Sequence, residues 1–116
     1  MVLVGQYDSP FVRRVAISLR VLDFEYRHYN ALPCLAISIL RARQIPSAAF
    51  PPSLVLDDGA VLVDSAAILD WLDETVGPDC ALIPRTGLAR RTALQQIALA
   101  TGAVDKAGET CVRSAA

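Results

Sequence analysis

The sequence predicts an α/β domain on one small open sheet, followed by a separate long helix. Three observations carry this expectation. Over residues 2–29 a short apolar run, an amphipathic helix and an alternating run follow one another, the pattern of a βαβ unit with a right-handed crossover. Over residues 53–76 two short strands flank an Asp-Asp-Gly turn and lead into a second helix. A connector bearing Gly and Pro then precedes an uninterrupted helical stretch.

Each element has a local reason. Val2-Leu3-Val4-Gly5 is an apolar run ending in Gly, as expected for a buried strand. Asp8-Ser9-Pro10 starts a helix, because Ser is a favoured cap and Pro is favoured at the first helical position. Phe11, Val12, Val15, Ala16, Leu19 and Leu22 form its apolar face. Arg13, Arg14 and Arg20 fall off that face and read as solvated, and Asp23 closes the helix. Phe24 to Tyr29 alternates as a second strand. Ser53 to Leu56 and Ala60 to Val63 are hairpin strands around Asp57-Asp58-Gly59. Asp64-Ser65 caps a helix from Ala66 to about Val76, with Ile68, Leu69, Trp71 and Leu72 inward, and Gly77-Pro78 ends it. Residues 77–87 read as a linker, and Leu88 to about Ala107 as one helix.

Composition bounds the function. A chain of 116 residues, 53% hydrophobic and 20% charged, suits one domain with a real core. Its formal charge of −1 gives no electrostatic reason to expect nucleic acid or an acidic membrane surface. Cys34, Cys80 and Cys111 form no CxxC pair and do not cluster with His28, so neither a disulfide framework nor a metal site is expected, and the thiols suit a reducing cytoplasm. No segment reads as a signal peptide or a membrane span. Of the 12 acidic residues, none lies between Glu25 and Asp57.

Three stretches carry a resemblance. The string from Gly5 through Asp8-Ser9-Pro10-Phe11-Val12-Arg13-Arg14 to Val15 is similar to the first strand–helix junction of the soluble glutathione transferases, bacterial ones especially. Leu54-Val55-Leu56-Asp57-Asp58-Gly59, followed by Leu62 to Leu72 with Asp64-Ser65 before the helix, resembles the same family's ββα half. Leu82-Ile83-Pro84 and the helix from Leu88 resemble its linker and the first helix of its all-α second domain. The resemblance implies a thioredoxin-like βαβ–ββα domain over residues 1–76, a linker over 77–87, and the truncated start of a helical domain over 88–116.

It also implies a chemistry: attack of the glutathione thiolate on a small electrophile, with glutathione as co-substrate, no other cofactor and no metal. A helix N-terminus offers free N–H groups and positive potential, and two such ends follow Ser9 and Asp64-Ser65. A free thiol, with a pKa of about 8.5, is mostly protonated at neutral pH, so a donor beside the sulfur favours the nucleophilic thiolate. The resemblance makes Ser9 that donor, with Tyr7 as the rival, and gives Ser65 the γ-glutamyl carboxylate. It gives Asp64 the α-amino group, often across the interface of a homodimer. Both serines also read as plain helix caps.

One family feature is missing. A motif close to N-P-x-G-x-V-P, ending in a cis-proline that exposes backbone to the cysteinyl part of glutathione, should precede the third strand. Here Arg43 to Pro52 holds no Gly, leaving Pro51 or its neighbour Pro52 as the glutathione-contacting proline. A minus-one reading of codons 33–51 permits D-P-I-G-R-V-P at that place and returns acids to the gap. Another frame permits V-Y-E-A-P over residues 111–116. One coding shift, compensated near Pro51 and Pro52, would therefore explain both the missing motif and the acidic gap; a second, ending the chain early, would leave Leu94, Ile97 and Leu99 without cover. The resulting readings are a transferase that is weak or inactive, a binding module without turnover, or the product of a decayed gene.

Overall fold

The computed structural model describes residues 1–30 and 52–115, the last five of these as backbone. Pro51, Cys34 and the stretch 33–51 with its alternative reading frame lie outside the described residues. The elements are β1 (Val2–Val4), α1 (Pro10–Val21), β2 (Arg27–Tyr29), β3 (Ser53–Val55), β4 (Val61–Val63), α2 (Ser65–Val76) and α3 (Gly87–Ala115). The sheet order is β2-β1-β3-β4. β1 and β2 are parallel, and the β1–β3 and β3–β4 pairs are antiparallel. The expected βαβ and ββα halves therefore join through β1 and β3 into one α/β layer.

Alternation decides which residues form the core. Leu3 and Leu54 point from the sheet towards the helices and meet Val12, Val15, Ala16 and Leu19 of α1 and Ile68 and Leu72 of α2. All are buried, and each large aliphatic side chain fully removed from water contributes about 1.5–3 kcal/mol. Trp71, Leu69, Phe24 and Tyr26 pack around this cluster. Val4, flanked by Val2 and Val55, forms a second cluster; by alternation these belong to the opposite face.

α1 ends as the sequence requires. Asp23 takes a left-handed φ of 61° just beyond the C-cap Leu22. Its N–H reaches the Arg20 carbonyl at 3.1 Å, and the Phe24 N–H reaches Leu19 at 2.8 Å. These are the two bonds of a Schellman closure, and Phe24 and Leu19 share the core cluster that completes it. At the hairpin, Leu56 N–H bonds the Ala60 carbonyl at 2.8 Å, Gly59 supplies a φ of 89°, and Asp58 Oδ1 accepts the Ala60 N–H.

Two boundaries differ from the sequence reading. β2 pairs only over Arg27–Tyr29, because Phe24 and Tyr26 turn inward against the core before pairing begins. α3 runs for 29 residues to Ala115 and does not stop near Ala107. Gly108 faces open space, and a helical Gly costs only about 1 kcal/mol relative to Ala, too little to end a helix already propagating.

The linker is held to α2. The Asp73 carboxylate accepts the N–H groups of Leu82 (2.8 Å) and Ile83 (3.1 Å). Arg85 donates back to the α2 carbonyls of Asp73 and Glu74. Along α3, Ile97, Thr101 and Val104 recur at helical spacing and are half-buried, whereas Leu88, Leu94 and Leu99 are exposed. Ile97 is thus better covered than the sequence implied, because it faces α1 and α2. Among the described residues, no helix is long and apolar enough to cross a membrane.

Candidate functional site at one end of the sheet

Strand register assembles the site. Val4 of β1 pairs with Tyr29 of β2 and with Ser53 of β3, and Ser53 pairs with Val63 of β4. This row is one end of the sheet. The loop carrying Tyr7 and Ser9 leaves it after β1, Pro52 precedes it, and Asp64 and Ser65 follow it after β4.

Ser9 is the N-cap residue of α1, with extended φ and ψ of −70° and 122°. Its carbonyl accepts the Arg13 N–H at 3.1 Å, but its hydroxyl makes no capping bond. Pro10 has no N–H to offer, so an anion at this end meets the amides of Phe11 and Val12.

Asp64 is the N-cap residue of α2, at φ 76° and ψ 138°. A non-glycine residue held there costs about 1–3 kcal/mol. Its surroundings fix it. The Asp64 N–H donates to the Pro52 carbonyl at 3.1 Å, one step beyond the last β3–β4 pair, and its carbonyl accepts the Ile68 N–H at 3.1 Å. Pro52 is itself buried. The turn places Ser65, only 2% exposed, as the first residue of α2.

Ser65 has a partner that sequence reasoning missed. Arg14 Nη1 donates to its Oγ at 3.2 Å across 51 residues of chain. Arg14 was expected on a solvated face; it is half-buried between α1 and α2, while Arg13 beside it is exposed. The 100° turn between adjacent helical residues separates them, and nothing in an Arg-Arg pair tells which one faces a later helix. Because Ser65 Oγ accepts from Arg14, its own proton is free to donate outward. Among the described residues Arg14 makes no ion pair.

Tyr7 is occupied elsewhere. Its ring stacks on His28 at 3.8 Å, and its hydroxyl lies 3.3 Å from that of Tyr26. The hydrogen bond to Tyr26 raises the Tyr7 pKa above the usual phenol value; burial and the Tyr26 charge add to this, and Arg20 opposes it. His28 Nε2 donates to the Gly5 carbonyl at 2.6 Å, so the imidazole orders the loop.

Beside the start of α1 lies a cavity of about 210 Å³, lined by Pro10, Phe11, Arg14, Ile97, Ala100, Thr101 and Val104. Its walls are almost wholly apolar. Arg14 also borders a groove of about 430 Å³ between α2, the linker and α3. Among the described residues, no group of three or more His, Cys, Asp or Glu could hold a metal ion. Cys80 is an exposed free thiol.

The fold is that of a glutathione transferase N-terminal domain. Residues 3–79 match the family described as "Glutathione S-transferase, N-terminal domain", and the chain belongs to that family. It is 38% identical over 77 residues to the probable maleylacetoacetate isomerase of Caenorhabditis elegans, covering 66% of this chain and 34% of that protein. It is 34% identical over 117 residues to the uncharacterized GST-like protein YibF of Escherichia coli K12, covering 100% of this chain and 55% of YibF. A crystal structure of a glutathione S-transferase from Methylobacillus flagellatus, with glutathione bound, superposes with a TM-score of 0.72 at 26% identity, covering 91% of this chain and 51% of that one. The chain thus spans about half the length of YibF and of that transferase, and about a third of the isomerase.

Proposed function

We propose that this chain binds glutathione at the sheet end where α1 and α2 begin, and presents its thiolate to a small electrophile. The observation that carries the reading is the register row Val4–Ser53–Val63, which puts Ser9, Pro52 and Asp64-Ser65 at the same end of the sheet. The glutathione held by the Methylobacillus flagellatus relative supports it.

In this reading the Ser9 hydroxyl, uncommitted to a cap, donates to the glutathione sulfur and lowers the cost of the thiolate. The Ser65 N–H and hydroxyl hold the γ-glutamyl carboxylate at the start of α2, with the Arg14 charge behind them. Asp64 meets the α-amino group, across the interface of a homodimer as the resemblance implies. Backbone beside Pro51 or Pro52 holds the cysteinyl part; Pro52 is already tied to Asp64. Ser9 is preferred to Tyr7 because the Tyr7 hydroxyl is shared with Tyr26 and its ring is stacked away on His28. The electrophile enters the 210 Å³ cavity beside Pro10 and Phe11, where the sulfur attacks its carbon and the leaving group departs with the bonding pair. The exposed Cys80 thiol suits a cytoplasmic setting.

Calorimetric titration with glutathione, paired with conjugation of a general aryl halide, tests the reading. Saturable binding with weak turnover is the expected result. Binding without turnover leaves a glutathione-binding module, and absence of binding overturns the proposal.

A further inference from the structure

We propose that His28 is a positioning residue for Ser9: its imidazole sets the loop that carries the Ser9 hydroxyl, and through that loop the ionisation of bound glutathione. This rests on the glutathione reading above and adds to it a residue that acts only through another.

The loop from β1 to α1 needs a support outside itself. Gly5 takes a φ of 144° and turns the chain out of the sheet. Its N–H still reaches the Tyr29 carbonyl at 3.1 Å, but its own carbonyl lies past the last β1–β2 pair. Gly5 is buried, so that carbonyl has to find its donor away from the ladder. His28 Nε2 supplies one at 2.6 Å. The Tyr7 ring then lies flat on the same imidazole, with centroids 3.8 Å apart and planes within 10°. His28 itself sits in the middle of β2, paired with Leu3 of β1, so the sheet holds the imidazole in place.

A tight turn passes this grip on to Ser9. The Ser9 N–H donates to the Gln6 carbonyl at 3.1 Å, closing a β-turn over Gln6–Ser9 with Tyr7 at its first corner. His28 thus holds the chain just before the turn and again inside it. Beyond the turn, α1 takes over, where the Ser9 carbonyl accepts the Arg13 N–H. The Ser9 hydroxyl makes no capping bond, so it turns freely about its own bond while the backbone decides where it turns. A misplacement of about 1 Å at a reacting group can cost about a hundredfold in rate. The one side chain that fixes both Gly5 and Tyr7 therefore governs how well a donor at Ser9 meets the sulfur.

The test reads the thiol, so it needs binding and not turnover. Glutathione bound to the full chain is titrated with pH, and the thiolate is followed by its ultraviolet absorbance. In the unaltered chain the bound thiol should ionise below its ordinary value of about 8.5. His28→Ala should move the midpoint back by about one unit, a tenfold smaller thiolate fraction near neutral pH. His28→Gln keeps an N–H donor for the Gly5 carbonyl and should recover part of the shift, whereas His28→Phe keeps only a ring and should not. In a Ser9→Ala background, His28→Ala should move the midpoint no further, while its cost in urea unfolding stays the same in both backgrounds. An unmoved midpoint in His28→Ala overturns the proposal, as does an equal shift in the Ser9→Ala background. If His28→Ala does not fold, the Gln and Phe variants carry the comparison, and equal midpoints in those two overturn it. If glutathione binds the unaltered chain with an ordinary thiol, binding stands and this proposal falls; if glutathione does not bind, the underlying reading falls with it.

Discussion

The two helices that start at the same end of the sheet do so in opposite ways. α1 begins through Ser9, whose backbone is relaxed and whose side chain is half-buried. α2 begins through Asp64, held at a φ of 76° with its N–H fastened to Pro52 and buried Ser65 behind it. Neither cap residue uses its side chain to cap its helix. A serine and an aspartate at helix starts are ordinarily there to satisfy free N–H groups, at about 1 kcal/mol each. Here both side chains are left for something else. On the proposed reading the difference separates two tasks, for a loosely held hydroxyl can adjust to a reacting sulfur, whereas a strained and tethered turn holds a fixed charge pattern.

Substitutions can break or sharpen that contrast. The largest expected effect is at Ser9. Ser9→Ala should reduce conjugation by a hundredfold or more, the range for removing a donor to developing negative charge. Its unfolding midpoint should hardly move, since no capping bond is lost. A loss of about 1 kcal/mol in stability with unchanged turnover would return Ser9 to a plain cap. Ser65→Ala comes next. It strands the Arg14 donor as well as removing a ligand contact, so glutathione should bind tenfold more weakly or worse, and urea unfolding should show a loss of about 1–3 kcal/mol.

Asp64→Gly should act in two directions at once. Relief of the positive φ should stabilise the fold by about 1 kcal/mol, read as a higher denaturation midpoint, while calorimetry records weaker glutathione binding. If neither changes, the strain at Asp64 serves no purpose in the site. Tyr7→Phe is the smallest. Conjugation should persist, because the hydroxyl is held by Tyr26. The folded pKa of Tyr7 lies above its unfolded value, so its contribution to stability is present below about pH 10 and lost as pH rises through the folded pKa. Tyrosinate absorbance should show one late-titrating phenol that Tyr7→Phe removes.

Much of this was legible beforehand because it rests on local rules. Asp-Asp-Gly can scarcely do anything but turn a hairpin, and Ser-Pro can scarcely do anything but start a helix. The periodicity of α1 named Val12, Val15, Ala16 and Leu19, all buried. What stayed hidden depends on distant chain. Arg14 could be placed only once α2 was known to lie beside it. The φ of Asp64 arises from its tie to Pro52, a partner 12 positions earlier that no local pattern singles out. The end of α3 was missed for a different reason: an exposed glycine weakens a helix without stopping it.

The clasp between Asp73 and the amides of residues 82 and 83 fixes more than a loop. With Arg85 fastened back to the end of α2, residues 82, 83 and 85 are referred to α2 directly and not through the turn between them. A residue inserted between 77 and 81 should therefore bulge outward and leave α3 where it is, whereas loss of the Asp73 carboxylate should free the start of α3 with no change in length.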